Sequence, residues 1–128
     1  MIFVDTNVIM YAVGGEHPLR REARAFFESA LERRERLATS VEVLQELLHA
    51  YLPVNRLATL DAALVLADAR IPVVWPVEVD DVRLARALVT RHAGLGARDL
   101  LHVACCKRRD VGEVKTFDRG LAAAFGRS

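Results

Sequence analysis

Long hydrophobic runs are missing from this 128-residue sequence, although 52% of its residues are hydrophobic and 27% are charged. No apolar stretch approaches the roughly 18 to 20 residues that a membrane-spanning helix requires, and no basic segment precedes the short apolar stretch at the N-terminus. We therefore expect a soluble cytoplasmic protein that does not enter a membrane. The length and apolar content favour one globular domain over residues 1–128 with a substantial core.

Cysteine is scarce, since the sequence has only Cys105 and Cys106, which are neighbours in a segment of helical periodicity. A disulfide between adjacent helical residues has poor geometry, and no second pair exists to build a disulfide framework. The sequence has no CxxC motif, the spacing that would indicate a zinc or redox site. We interpret the two residues as buried thiols in a reducing compartment.

An excess of one charge sign is also absent, because 18 Lys and Arg are balanced by 17 Asp and Glu. The net charge therefore gives no indication of a nucleic-acid partner. The spacing of Arg24 and Glu28 is typical of ion pairs on a solvated helix face, which is how we interpret the local basic clusters. These clusters are Arg20, Arg21 and Arg24; Arg33, Arg34 and Arg36; and Lys107, Arg108 and Arg109.

Short apolar runs alternate with longer segments of helical periodicity, a pattern typical of an α/β fold. We expect three α/β/α layers around a central sheet of four or five mostly parallel strands. Strands are predicted at residues 2–5, 37–40, 71–77 and 114–117. Helices are predicted over residues 6–13, 18–36, 44–52, 57–69, 80–91 and 98–109. Asp80 is expected to cap the helix over residues 80–91.

Two of the predicted strands end in an acidic residue. Asp5 follows Ile-Phe-Val, and Asp118 follows Val-Lys-Thr-Phe. Because ligands bind outside the carboxyl ends of parallel strands, both side chains are expected at one crevice. Asp99 begins the helix that leads to the last strand, and Glu46 lies in the helix after the second strand, so both can reach the same edge.

Each of these acids also has a purely structural interpretation. Asp5 and Asp118 can cap the helices that follow them, and the helix dipole favours Asp99 in a first helical turn. Glu46, taken alone, is interpreted as a solvated helix residue. Their joint placement favours a site, since independent caps have no reason to converge.

Carboxylates that converge need a counterion. Two of them about 5 Å apart repel by roughly 3 kcal/mol at an effective dielectric of about 20, and a divalent cation removes this repulsion. Oxygen ligands without CxxC or HxxxH spacing indicate Mg²⁺ or Mn²⁺. Such ions activate water and neutralise phosphate charge, so the pattern predicts phosphodiester hydrolysis.

Four stretches, FVDTNVIMY, ATSVEVLQELLHAY, GLGARDLLHVA and VKTFDRGL, resemble in order and spacing the four acidic motifs of the PIN domain family, especially its VapC-like toxin branch. The resemblance implies a PIN-like fold and a Mg²⁺- or Mn²⁺-dependent endoribonuclease. The residues that match the four catalytic, metal-binding acids are Asp5, Glu46, Asp99 and Asp118.

The resemblance also assigns polar residues around the acids. Asn7 and Thr116 match positions that orient metal waters or carboxylates, Ser40 matches a small hydroxyl residue at a strand end, and Thr6 is expected to cap the first helix. Gly96 departs from the family pattern, because many relatives have Ser or Thr three residues before the third acid. The departure weakens helix capping there and leaves metal binding intact.

The toxin branch implies three partners: an RNA substrate, a cognate antitoxin that blocks the crevice, and a second copy in a homodimer. The choice of RNA over DNA rests on the resemblance alone. His49 and His102 follow Glu46 and Asp99 by one helical turn, and we interpret both as structural. Glu42 is interpreted as solvated.

Two other functions remain open. In a haloacid-dehalogenase-like phosphatase Asp5 would be the nucleophile, but that chemistry usually needs a second Asp where this chain has Asn7. In a non-catalytic PIN-like module that binds RNA or protein, one or more acids would be missing, whereas all four are present.

Overall fold

The computed structural model of the protein describes residues 1–126, and in this part of the chain four strands alternate with seven helices. The strands are β1 (Ile2–Val4), β2 (Leu37–Ser40), β3 (Val73–Trp75) and β4 (Glu113–Lys115). The helices are α1 (Thr6–Val13), α2 (Arg20–Glu32), α3 (Val41–Tyr51), α4 (Leu57–Arg70), α5 (Val79–Ala87), α6 (Ala97–Arg108) and α7 (Arg119–Gly126). The predicted α/β class is confirmed. Among these residues, none of the helices has both the length and the apolar character of a membrane span.

Several predicted element ends are wrong. Helix α2 is shorter than 18–36 because it begins after the turn at residues 18–19 and ends where Arg34 takes a left-handed conformation, with a φ of 55°. The strand predicted at 71–77 is limited to the three residues that pair with β2. Helix α5 ends before 91, because the chain turns over residues 88–94.

The predicted cap of α5 is also wrong, because Glu78 rather than Asp80 is the N-cap residue. The Asp81 carboxylate accepts a hydrogen bond of 2.8 Å from the Glu78 backbone N–H, as in a capping box.

The sheet has the strand order β3-β2-β1-β4, and all three pairings are parallel. The central strand β1 pairs on one side with β2, where Ile2 faces Leu37, and on the other with β4, where Val4 faces Lys115. Within residues 1–126 the sheet therefore has four strands, all parallel, which confirms the prediction of four or five mostly parallel strands.

The path of the chain places helices on both faces of this sheet. From β1 to β3 each new strand is added on the same side, and the intervening helices α1 to α4 pack against one another. The chain then returns across the sheet to β4, and α6 packs against α5 and α7. Because parallel crossovers are right-handed, this reversal puts α5 and α6 on the opposite face. The switch point lies between β1 and β4, where a crevice opens.

All three residues of β1 are apolar because this strand lies in the core. Phe3 and Val4 are fully buried between the two helical layers. The hydroxyl of Thr39, also fully buried in β2, donates a hydrogen bond of 2.9 Å to the Val4 carbonyl. Cys105 and Cys106 lie buried in α6 as free thiols, as predicted.

Candidate metal centre

Asp5 and Asp118 lie on either side of the switch point and also cap helices. Asp5 is the N-cap of α1, and its Oδ1 accepts a hydrogen bond of 2.8 Å from the Thr6 backbone N–H. Asp118 Oδ1 accepts one of 3.0 Å from the Leu121 backbone N–H at the start of α7. The expectation that Thr6 itself caps α1 was wrong, since Thr6 is the first helical residue. Capping a helix is therefore compatible with a place at the site for both aspartates.

All four predicted acids line one cleft of about 510 Å³ at the carboxyl edge of the sheet. Asp5 and Glu46 lie at its buried end, Asp99 is half-buried, and Asp118 is exposed. The condition that the sequence argument depended on, convergence of distant acids, is met.

Asp5 and Glu46, at the buried end of the cleft, form a compact group with the buried side chain of His102. One ligand atom of each lies within 4.8 Å of the others. His102 Nε2 is 3.1 Å from Glu46 Oε1 and 3.8 Å from Asp5 Oδ1. The sequence predicts a structural role for His102, and this buried ring contacts two of the acids. The signal in the sequence was its spacing from Asp99, one helical turn along α6.

Glu46 is 8% exposed, which excludes the alternative interpretation of a solvated helix residue and agrees with the predicted place of Glu46 at the cleft. It takes hydrogen bonds from two side chains, the Thr6 hydroxyl on Oε2 and the His102 ring on Oε1. Tertiary packing of α3 against α1 explains the burial, because it turns the edge of the α3 apolar stripe towards the sheet. By contrast, His49 is exposed at the rim of the cleft, and Glu42 is half-buried outside it.

Thr116 connects the ends of β1 and β4. Its Oγ1 accepts hydrogen bonds from Asn7 Nδ2 at 3.3 Å and from the Asp118 backbone N–H at 3.0 Å. Because both acceptor positions are taken, its own hydrogen points to Asp5 Oδ2, at 2.6 Å. Asn7 Oδ1 in turn accepts from the Phe117 backbone N–H at 3.2 Å. Thr116 and Asn7 therefore hold Asp5 in one orientation.

The remaining small residues act on helix ends. Ser40 is buried and is the N-cap of α3, where its Oγ accepts a hydrogen bond of 3.4 Å from the Val43 backbone N–H. Gly96 is the N-cap of α6 and provides no side-chain hydrogen bond, as its sequence position predicted.

Electrostatics in the cleft reflect both burial and like charge. Burial raises the pKa of Asp5 despite the hydrogen bond from Thr116. Burial, together with the negative charges of Asp118 and Asp5, raises the pKa of Asp99. Burial alone would raise the pKa of Glu46, but the hydrogen bond and charge of His102 outweigh it and lower that pKa. Burial alone would lower the pKa of the His102 ring, but the same hydrogen bond and the negative charges of Glu46 and Asp5 outweigh it and raise that pKa, which favours the imidazolium.

The donors in this cleft fit a divalent cation. Among residues 1–126, Arg98 is the only Lys or Arg that lines the cleft, so it and His102 do not balance four carboxylates. Asp99 receives no hydrogen bond from the described part of the chain, and its oxygens are available as ligands. Carboxylate oxygens with neighbouring water are the ligands that hard divalent cations prefer.

Known proteins resemble this chain in both sequence and fold. The family model described as PIN domain matches residues 2–125. Ribonuclease VapC23 of Mycobacterium tuberculosis is 62% identical over 125 residues, which cover 98% of each chain. The crystal structure of M. tuberculosis VapC20, described as a sarcin-ricin loop cleaving toxin, matches with a TM-score of 0.74 at 23% identity, covering 97% of this chain and 95% of VapC20. A toxin-antitoxin complex from Klebsiella pneumoniae matches with a TM-score of 0.66 at 18% identity, covering 92% of this chain and 87% of that one.

Proposed function

Because the chain belongs to the PIN domain family and, within it, to the VapC ribonucleases, we propose that it is a metal-dependent endoribonuclease that hydrolyses RNA phosphodiester bonds. The observation that carries this proposal is the convergence of Asp5, Glu46, Asp99 and Asp118 in one cleft. A non-catalytic module has no need to keep all four. A phosphatase nucleophile is also disfavoured, because Asn7 stands where that chemistry usually needs a second Asp.

The cation in this proposal is Mg²⁺ or Mn²⁺, with Asp5, Asp99 and Asp118 as its ligands and Glu46 contributing directly or through water. When bound, the cation would lower the pKa of the attacking water and neutralise charge on the scissile phosphate. The protein supplies orientation. Thr116 holds Asp5, and His102 and Thr6 hold Glu46, so the acids do not have to be ordered when substrate binds.

Three partners follow from family membership. RNA is the proposed substrate, and an antitoxin is the proposed inhibitor, supported by the match to a toxin-antitoxin complex from K. pneumoniae. We also propose that the protein acts in the cytoplasm and that it forms a homodimer. Both proposals rest on the resemblance to the toxin branch.

The proposed activity is tested by incubating the purified protein with total RNA and mapping new RNA ends. We expect discrete cleavage sites with Mg²⁺ or Mn²⁺, no cleavage in EDTA, and recovery when Mn²⁺ is added in excess, because the acidic cleft cannot neutralise a phosphate without a cation. Calorimetric titration should show Mn²⁺ binding. Undiminished cleavage in EDTA would contradict the metal-dependent mechanism.

Arg98 is proposed to contact the scissile phosphate, because it lines the cleft and carries no ion pair within residues 1–126. The Arg98→Gln variant should lose roughly 10- to 100-fold in kcat/KM for RNA. Its affinity for Mn²⁺ should be unchanged or higher, since a positive charge has left the acidic cleft.

The control for this prediction is Arg91→Gln, which removes the same charge from an exposed position outside the cleft. Single-turnover cleavage and calorimetry measure the two effects separately. Equal kinetics for Arg98→Gln and Arg91→Gln would show that Arg98 does not contact substrate in the transition state.

A further inference from the structure

A second and larger groove, of about 900 Å³, lies beside the start of α2. No residue that lines it takes part in the proposed reaction. Its charged and aromatic lining consists of His17, Arg20, Arg21, Arg24, Glu16 and Glu28. We refer to it as the α2 groove.

The α2 groove is cationic. Glu28 is paired with Arg70 at 3.0 Å rather than with Arg24, so the ion pair inferred from the sequence spacing is not formed. Arg24 donates through Nε to the Ala12 carbonyl at 2.8 Å, which leaves its terminal nitrogens available. Within residues 1–126, Arg20 and Arg21 form no ion pair. Among the described residues that line the groove, three guanidinium groups therefore outweigh Glu16, the one acid without a cationic partner there.

An exposed aromatic ring stands at the edge of these arginines in a fixed orientation. The His17 ring stacks on Tyr11, with ring centroids 4.4 Å apart and planes inclined by 28°. Its Nδ1 accepts a hydrogen bond of 3.0 Å from the Leu19 backbone N–H. An exposed ring that is already oriented loses little entropy when a planar group stacks on it.

A row of aromatic side chains joins the α2 groove to the metal cleft. Tyr11 packs edge-on against Phe117, with centroids 5.5 Å apart, and the Phe117 backbone is hydrogen-bonded to Asn7, which lines the cleft. Lys115 Nζ lies 5.0 Å from the Phe117 ring and adds positive charge to this row. A chain that passes over the cleft can therefore continue along aromatic and cationic side chains into the groove.

We propose that the α2 groove binds the part of the RNA strand next to the cleaved phosphodiester, with a base stacked on His17 and phosphates on Arg20 and Arg21. This inference rests on the proposed ribonuclease function. Single-stranded nucleic acids are bound by this combination of aromatic platforms and a basic groove. An acidic polypeptide would use the arginines, but it would not need an oriented ring continuous with the cleft.

The test measures binding of a fluorescently labelled single-stranded RNA of about 12 nucleotides by anisotropy over a range of salt concentrations. Binding is measured in an Asp5→Asn background, in which cleavage should be about 10³-fold slower. Adding R20Q and R21Q should weaken binding and make the log–log salt dependence shallower by about 1.4, or about 0.7 for each lost phosphate contact. The matched control, R33Q with R91Q, removes two exposed arginines elsewhere and should leave the slope unchanged.

A second pair of variants tests the stacked base. His17→Ala should lose about tenfold in RNA affinity, whereas His17→Phe, which keeps an aromatic ring, should retain it. Equal affinities for the two variants would overturn the stacking, and equal effects of the R20Q/R21Q and R33Q/R91Q pairs would overturn the phosphate contacts. Equal displacement of the RNA by polyglutamate and by unlabelled RNA would identify a site for acidic polypeptide and overturn the proposal.

A small substrate distinguishes an error in the groove proposal from an error in the proposed ribonuclease function. Bis(4-nitrophenyl) phosphate needs only the metal cleft, so R20Q/R21Q with Asp5 intact should hydrolyse it within about twofold of the unsubstituted protein. If the unsubstituted protein hydrolyses neither this ester nor RNA, the proposed function is wrong. If it hydrolyses both and R20Q/R21Q does not weaken RNA binding, only the groove proposal is wrong.

Discussion

Replacing Asp5 with asparagine should reduce RNA cleavage by about 10³-fold and abolish calorimetric Mn²⁺ binding. Asp5 is 6% exposed and lies at the switch point of the sheet, next to the Glu46 and His102 side chains. The amide has the same shape as the carboxylate and can still accept the hydrogen bond from the Thr6 backbone. It removes the negative charge that a cation would need.

The fold should survive this change. Loss of one of several neighbouring negative charges relieves repulsion, which offsets the hydrogen bond from Thr116 that the amide nitrogen cannot accept. Thermal unfolding should therefore show a melting temperature close to that of the unsubstituted protein. Asp61→Asn, the same change at an exposed position on α4, is the control and should keep full activity. Metal-dependent cleavage that persists in Asp5→Asn would reject the assignment of this residue.

Replacing Asp81 with asparagine should lower the free energy of unfolding by about 2 to 3 kcal/mol, or roughly 10 °C in melting temperature. Asp81 is fully buried where α5 packs on α6. Its carboxylate accepts hydrogen bonds from the guanidinium groups of Arg108 and Arg109, each at 2.8 Å, and from the Glu78 backbone N–H. An amide cannot accept all of these, so both guanidinium groups would lose a charged partner.

The same ion pairs make this contribution depend on pH. Burial alone would raise the pKa of Asp81, but the hydrogen bonds from Arg109, the Glu78 backbone and Arg108 outweigh it and hold the pKa well below its usual range. The folded pKa is therefore lower than the unfolded value of about 3.9, and the stabilisation is present above that pH and lost as the pH falls towards the folded pKa. Below about pH 4, the unsubstituted protein should lose stability faster than Asp81→Asn.

Asp80→Asn is the matched control, because Asp80 is the exposed neighbour of Asp81 and its ion pairs with Arg83 and Arg108 are long, at 3.8 and 3.9 Å. It should change stability by less than about 0.5 kcal/mol. Urea unfolding at neutral and acidic pH measures both variants. Equal destabilisation by the two substitutions would show that the buried ion pairs contribute nothing specific.

The Asp81 contacts also give two arginines of one basic cluster a structural role. Arg108 and Arg109 hold α6 against α5 through Asp81, and the Arg109 guanidinium also lies 5.2 Å from the centre of the Trp75 ring. Since α6 carries Asp99 and His102, this anchoring fixes one wall of the metal cleft. In the described part of the chain, the cluster at Arg20 and Arg21 has no such buried partner and is available to a ligand.

Local sequence was sufficient for most of the fold. Apolar runs and helical periodicity identified each strand and six helices, because these patterns reflect which side of an element is buried. Element ends were less predictable. Helix α2 ends at a left-handed Arg34, and β3 is only as long as its pairing with β2 allows, and neither depends on periodicity alone.

The sequence by itself determined the α/β class, the strand-end aspartates Asp5 and Asp118, and, through the four motifs, membership of a nuclease family. Only the tertiary structure decided that Glu46 is buried, that His102 contacts it, and that, within residues 1–126, Arg108 and Arg109 form ion pairs while Arg20 and Arg21 form none. The physical reason is that periodicity reports burial along one element, whereas the partners of a charged side chain are set by which other elements pack against it.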